Sequence, residues 1–548
     1  MRRLLRAVIA PFPGVLLLLA LGAGAHVWYF MSNCPLDLAP DEAYYWDWSR
    51  RLDLGYADTN GPLTAYIIAA SRALLAPWSE RMVGSEMLAV RLPAVALSVL
   101  TGLGIYLLAW RTLRHAWVAF AAVALTFTIP VFAVGAGLMT IDAPLACAWI
   151  WALVAAQRAL ERDTLRSWLA AGLIVAVGIL AKYNMVLLFP VVGLLILLEP
   201  DLRRLARRPG PYLAVAVGLT GLVPTLLWNS RHDWLSFRQV ANQAGLESAI
   251  AVDISGPLVY VGGQIAIVGL FWLVGMVWGA VEFWRRPVAE TGEHHPRWTA
   301  RFLVLATAVP WLIFLGFSLI TKTQPNWPVV AVLSGTIVLP AWLRRRWRAT
   351  NRHRRLQAFI AAGVLSGATA VVVIHHTEWI TPALAWLARG APPWDLTPVA
   401  RYDPSAKMRG WSQLGAAVGA ALQQQRAAGR EPFILAQDYQ LASEIAFYCP
   451  GQPVVYAAQA ALGQRRCQYD VWTNPIRDAA QFVGRPCLYI GSLHETLTGH
   501  AGERAVLPRL ERVRTVEYKM RGQVVRLWTV WSCDAFAGFD LPATARLE

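Results

Sequence analysis

From Ala7 to Ile374 the chain alternates long apolar runs with short polar connections, and within the runs no helical face or strand-like alternation separates polar from apolar positions. Segments that are hydrophobic all round must be enclosed on every side, and repeated runs of this length point to a bilayer. The windows Ala7–Phe30, Leu88–Trp110, Ala116–Val134, Ala143–Ala156, Trp168–Ala181, Met185–Leu198, Tyr212–Trp228, Pro257–Val281, Phe302–Ile320, Trp327–Leu343 and Leu356–Ile374 predict about eleven spans. Two polar insertions between them, residues 31–86 and 230–256, are long enough to be outer loops. The first carries helical periodicity at Ala43–Leu52 and Leu63–Leu75, read as helices lying along the membrane surface. Beyond Thr377 the texture changes to short β-rich runs alternating with helical ones, across Pro432–Ala436, Leu441–Tyr448, Pro453–Ala457, Pro486–Gly491, Val513–Tyr518 and Gln523–Trp531. About 170 residues can bury a core of their own. The predicted fold class is therefore a polytopic α-helical membrane domain, residues 1–376, followed by a soluble α/β domain, residues 377–548, entered through the linker Arg389-Gly390-Ala391-Pro392-Pro393-Trp394.

Composition agrees: 56% of residues are hydrophobic, 15% are charged and the mean hydropathy is +0.41. A net charge of +16 would suit nucleic acid, but its placement excludes that reading. Arginines gather in alternate short connections, at Arg2, Arg3 and Arg6, at Arg111 and Arg114, at Arg158, Arg162 and Arg166, at Arg203, Arg204, Arg207 and Arg208, at Arg285 and Arg286, and from Arg344 to Arg355. Under the positive-inside rule these are cytoplasmic, which puts the amino terminus inside and everything after Ile374 outside. A single kinked helix over Trp168–Leu198 would turn the Arg203–Arg208 cluster outward, so two short helices meeting at Lys182-Tyr183-Asn184 are expected. The first run also admits a cleaved signal peptide ending at Ala23-Gly24-Ala25, although its length favours an uncleaved anchor; either way the acidic loop is outside. Cys449, Cys467, Cys487 and Cys533 fall in the exported tail, where an oxidising compartment permits two disulfides in any of three connectivities. Cys34 and Cys147 are expected to be free.

Ionised side chains near hydrocarbon are expensive and survive where they line a wet cavity. Asp41 and Glu42, among the aromatics of Ala39-Pro40-Asp41-Glu42-Ala43-Tyr44-Tyr45-Trp46, are such a pair. Asp142 opens the fourth span, where it either complements the helix dipole or serves the site. Of 50 basic residues only four are lysine, yet Lys182 and Lys322 fall at outer helix ends where positive charge is otherwise avoided. A lysine ammonium is a compact charge suited to phosphate; the alternative is snorkelling to the headgroups. Both helices flanking Lys182 are about 14 residues, ~21 Å against a hydrocarbon core of ~30 Å, so Lys182 should be recessed.

The succession Asp41-Glu42-Ala43-Tyr44-Tyr45-Trp46, Leu54-Gly55-Tyr56, Gly61-Pro62-Leu63 and Val90-Arg91-Leu92-Pro93 resembles the first outer loop of the GT-C superfamily of polyprenyl-phosphate-dependent glycosyltransferases, in particular the bacterial branch related to lipid A aminoarabinose transferases and protein O-mannosyltransferases. Gly178-Ile179-Leu180-Ala181-Lys182-Tyr183, Trp228-Asn229 with Trp234 and Ser236-Phe237, Lys322 with Pro325-Asn326-Trp327-Pro328, and Arg409-Gly410-Trp411 in the tail extend the resemblance over nearly the whole chain. It implies inverting transfer of a sugar, hexosyl or pentosyl, from a polyprenyl phosphate to a hydroxyl or phosphate on lipid A, an envelope glycan or a protein, at the outer face of a bacterial inner membrane. Asp41 would be the general base. Glu42 would orient the acceptor or cap its helix, and Asp142 would position the acceptor or, with Asp41, hold a divalent cation; no cofactor is certain. Lys182, Lys322 and Arg91 would hold the donor phosphate, and Tyr44, Tyr45, Asn60, Tyr183, Asn229 and Asn326 would contact substrate. Where relatives carry His or Lys before the Pro of this loop, the chain has Asn60, which donates a hydrogen bond but no charge. The competing readings are a transporter or flippase of lipid-linked sugars, and a binding protein whose exported domain carries the function. Transporters place charges near the midplane with repeat symmetry, whereas here the candidates gather at one face.

Overall fold

The computed structural model describes residues 11–32, 34–58, 60–243, 252–287, 297–349, 351, 353–392, 395–461, 463–491 and 511–539. Arg2, Arg3 and Arg6, Thr59, and parts of the second outer loop and of the linker lie outside them. By contact the chain divides into two compact units: Met1–Phe30, Asp53–Ile67 and Arg91–Val372 make the first, and Met31–Leu52, Ile68–Val90 and Val373–Glu548 the second. What hydropathy did not indicate is that two segments of the polar insertion at residues 31–86 group with the tail.

The first unit is helical. Among the described residues six helices are long and apolar enough to cross a membrane: Pro11–Met31, Met87–Leu113, Asp142–Arg162, Pro209–Asn229, Trp298–Phe317 and His353–His375. Gly256–Val268 and Leu270–Arg285, bent by 108°, make a seventh if counted as one span. Shorter apolar helices account for other windows. Ala116–Val134 breaks before Pro130, which opens a new short helix at its first position, where its missing N–H costs nothing. Trp168–Leu198 is two pieces, as the arginines required: Leu165–Ala181 ends at Lys182, whose φ of −156° and ψ of 136° are extended, and a 3₁₀ turn at Tyr183–Leu187 leads into Leu188–Leu198. At the centre, every residue from Val329 to Ala341 is buried, which explains a helix without a polar face. Small residues permit the closest approaches: a Cβ on Gly172 would lie 2.8 Å from the Ala214 carbonyl, so Leu165–Ala181 and Pro209–Leu219 nearly touch backbone to backbone.

The second unit is built on a five-stranded sheet with β1 at Phe433–Ala436, β2 at Val455–Ala457, β3 at Cys487–Gly491, β4 at Glu511–Met520 and β5 at Gln523–Cys533, in the order β2-β1-β3-β5-β4. β2, β1 and β3 are parallel, and β3, β5 and β4 antiparallel. Five of the six runs picked out in the tail are these strands, whereas Leu441–Tyr448 lies within the helix Tyr439–Tyr448. The Arg409-Gly410-Trp411 motif is a structural corner. Gly410 has φ +81° and no room for a Cβ against Tyr518, and buried Arg409 bonds Glu378 at 2.7 Å and Ser405 at 2.8 Å. All six cysteines are free thiols, so the expectation of disulfides is not met. Cys487 and Cys533 lie opposite each other in register within an apolar cluster, where they pack as small hydrophobes.

The helix Pro40–Ser49 belongs to this unit, with Trp46 edge-on to Phe447 at 4.9 Å. Trp46 also donates to Glu86 at 2.7 Å, and Glu86 pairs with Arg72. Burial alone would raise the Glu86 carboxyl, but the hydrogen bonds from Arg72 and Trp46 and the Arg72 charge outweigh it and hold it below its ordinary value of 4.5. A depressed carboxyl stabilises the fold above its unfolded value and loses that contribution as pH falls through the folded one. Thermal melts should therefore show stability falling below about pH 4.5, a slope that Glu86→Gln flattens. Glu86→Leu strands Arg72 and should cost roughly 3 kcal/mol.

Candidate active site

In the first unit three distant segments meet at one carboxylate. Lys182 Nζ lies 2.7 Å from Asp142 Oδ1, and Asn326 Nδ2 donates to Asp142 Oδ2 at 2.7 Å. Lys182 is recessed, at 7% exposure. Asn184, two residues on, donates to the Trp327 carbonyl at 3.1 Å and locks the Pro325–Pro328 stretch against the helix junction. Asp142 is thus both the first residue of its helix and the counter-ion of Lys182. A cavity of about 340 Å³ opens beside this knot, lined by Asp142, Asn326 and His26 among otherwise mostly apolar residues such as Leu19, Ile105 and Phe132.

The loop before the helix Leu63–Val83 closes in from another side. A Cβ on Gly61 would lie 2.2 Å from the Leu180 carbonyl, so only glycine lets the loop reach the helix end just before Lys182. Asn60 is buried there, its main-chain oxygen 3.5 Å from the Tyr183 hydroxyl and its Oδ1 without a donor among the described residues. Tyr183 stacks on Phe237 at 6.2 Å. Trp228 packs on Gly55 and donates to Asp53 at 3.0 Å, which accounts for the Leu54-Gly55-Tyr56 motif.

The remaining candidates fall elsewhere. Lys322 is exposed, with no bond to the Asp142 knot. Arg91 is buried with its guanidinium 5.1 Å above the Phe30 ring. Asn229 spends its amide inside its own turn, donating to Thr225 and Ser236 and accepting from the Ser236 backbone, so it shapes the loop.

In the second unit Asp41 is exposed in the first turn of the Pro40–Ser49 helix, with the Tyr439 hydroxyl 3.5 Å from Oδ1. Glu42 is buried and accepts from the Ala39 N–H at 2.9 Å, the capping alternative. Tyr44 and Tyr45, read as substrate contacts, are buried. Tyr44 takes a 2.7 Å bond from the Gln468 N–H, and Tyr45 packs on Trp48. Tyr439 was missed because it stands 398 residues from its partner in a helix with no local motif. Among the described residues no three His, Cys, Asp or Glu side chains converge, and both Asp142 oxygens already accept from nitrogen donors.

The resemblance seen in the sequence is borne out by likeness to known membrane glycosyltransferases in sequence and in fold. Residues 59–228 match the family described as dolichyl-phosphate-mannose-protein mannosyltransferase, a stretch that includes Asn60, Asp142 and Lys182 but not Asp41. The chain is 28% identical over 310 residues to the lipid A galacturonosyltransferase RgtD of Rhizobium johnstonii, covering 56% of this chain and 60% of that protein. Its fold is similar to that of ArnT from Cupriavidus metallidurans bound to undecaprenyl phosphate, with TM-score 0.57, 18% identity, and 95% and 98% of the two chains covered. The apo form of that protein matches with TM-score 0.54 over the same shares at the same identity.

The tight Gly61 contact generates a test. Gly61→Ala should force the loop back by about an ångström and lower activity roughly 100-fold, while expression and the melting temperature of the purified protein stay close to those of the parent. Unchanged activity would show that the loop does not need this approach.

Proposed function

We propose that the chain is an inverting glycosyltransferase that moves a sugar from a polyprenyl phosphate to an acceptor at the outer face of a bacterial inner membrane. The observation that carries this reading is the Lys182–Asp142–Asn326 knot beside an apolar cavity in the membrane unit. An apolar space lined by the carboxylate and amide that hold a recessed ammonium suits an amphiphile with an anionic head, and the fold shared with a protein solved with undecaprenyl phosphate supports the same class of donor. Lys182 has three N–H groups and gives one to Asp142, leaving donors for phosphate. Asp142 and Asn326 set its position, and the buried Asn60 Oδ1 is an acceptor suited to a sugar hydroxyl. Asp41 takes the acceptor proton. As the acceptor oxygen attacks the anomeric carbon, the bond to the phosphate oxygen breaks and the electron pair leaves with the phosphate, whose growing charge Lys182 stabilises. Similarity to a lipid A galacturonosyltransferase supports lipid A as acceptor, with protein hydroxyls the second choice on the family match.

The decisive assay offers the purified protein in nanodiscs a panel of undecaprenyl-phosphate sugars, including galacturonic acid, aminoarabinose and mannose, with lipid A or a serine-rich peptide. Absence of turnover with every pair would overturn the reading. With the pair that turns over, Asp41→Asn should lower kcat ~10²- to 10⁴-fold with donor affinity retained.

Lys182→Met should weaken binding of undecaprenyl phosphate without a sugar, because the lost contact is with the head group. The double variant Lys182→Met with Asp142→Asn separates two roles. If the lysine holds phosphate, affinity stays low after the carboxylate is neutralised; if it only balances Asp142, affinity returns.

A further inference from the structure

Tyr439 is held in place from several sides. It opens the helix Tyr439–Tyr448, whose first turn is capped by Asp438 accepting from the Leu441 N–H at 2.9 Å. Its own N–H donates to Gln459 at 2.8 Å. Its ring lies 4.8 Å from that of Tyr44, which is itself fixed by the Gln468 N–H and stacked on Tyr469 at 5.8 Å. Tyr469 in turn donates to buried Asp47 at 2.9 Å, and burial together with the Asp47 charge pushes its phenol far up, so that it remains a donor. The aromatic group therefore ties the helix carrying Asp41 to the tail.

The Tyr439 hydroxyl oxygen accepts from the Gln440 amide at 3.3 Å, which directs its proton away from that amide. Asp41 Oδ1 lies 3.5 Å away. This is long for a hydrogen bond, as such contacts often are before substrate tightens a site. Asp41 itself is exposed in the first turn of its helix. A base must be in place when the acceptor arrives, and a rigid phenol supplies that restraint.

We infer that Tyr439 is a positioning residue for Asp41, so that the C-terminal segment is part of the transfer machinery rather than a separate binding module. The inference rests on the proposed role of Asp41 as base. Tyr439→Phe keeps the ring against Tyr44 and removes only the hydroxyl. With the donor and acceptor that turn over in the panel above, kcat should fall about tenfold and the donor KM stay within about twofold, at an unchanged melting temperature. In an Asp41→Glu background, whose longer side chain no longer meets the phenol, the same substitution should cost clearly less. Gln440→Met, which removes the amide that orients the phenol, should lower kcat in the same direction but less, and gives a second reading should Tyr439→Phe be unstable. Unchanged kcat in Tyr439→Phe, or equal losses in the two backgrounds, would overturn the inference. Near-normal turnover by Asp41→Asn would instead remove the base, and with it the reading on which this one stands.

Discussion

The ion pair between Lys182 and Asp142 is the contact on which the membrane unit depends. Each charge alone at this depth would cost several kcal/mol, and each is tolerable because the other is 2.7 Å away. Pairing them requires that the helix beginning at Asp142 and the helix ending before Lys182 finish at the same level, which stops Leu165–Ala181 short of a full span. Asn326 satisfies the second carboxylate oxygen and draws in the Pro325–Pro328 stretch, and Gly61 brings the loop of Asn60 onto the same helix end. The irregular backbone at Lys182, Asn60 and Pro325 is thus a consequence of satisfying two charges and their amide partner. Non-helical backbone at such depth is tolerated where it lines a cavity.

The second unit solves a different problem. Pro40–Ser49 has ten residues and no segregated apolar face, and a helix of that length is marginal by itself. It persists because it is enclosed nearly all round: Trp46 and Trp48 are fully buried, and Tyr44, Tyr45 and Asp47 all contact the tail or one another. The two segments of residues 31–90 that accompany the tail are joined to each other through Arg72, Glu86 and Trp46, and Trp46 packs on Phe447 of the tail. The exposed carboxylate of Asp41 is therefore presented by a rigid mount, as positioned chemistry requires.

Several residues that looked functional in the sequence also support the fold. Glu42 caps its helix, Asn229 closes a turn, Arg91 covers Phe30, and the Arg409-Gly410-Trp411 motif is a corner of the tail. Polar and aromatic residues in a membrane protein attract attention because they are costly, yet the same cost compels them to find partners, and those partners are often local. Asp142, Lys182 and Asn326 differ in that they partner one another across long separations.

Hydropathy and arginine placement are properties of short windows, so the sequence by itself determined that this is a membrane protein, where the polar connections fall, and that the helices break at Lys182. The motifs also identified Asp41, Asp142 and Lys182 as chemically unusual. Only the tertiary structure decided which of these meet. Asn326 reaches Asp142 from 184 residues away and Tyr439 reaches Asp41 from 398, and no periodicity or local propensity encodes such pairs. They exist because packing of apolar helices in one unit, and of strands and helices in the other, brings remote polar groups to one point, where each must satisfy the others or remain buried without a partner.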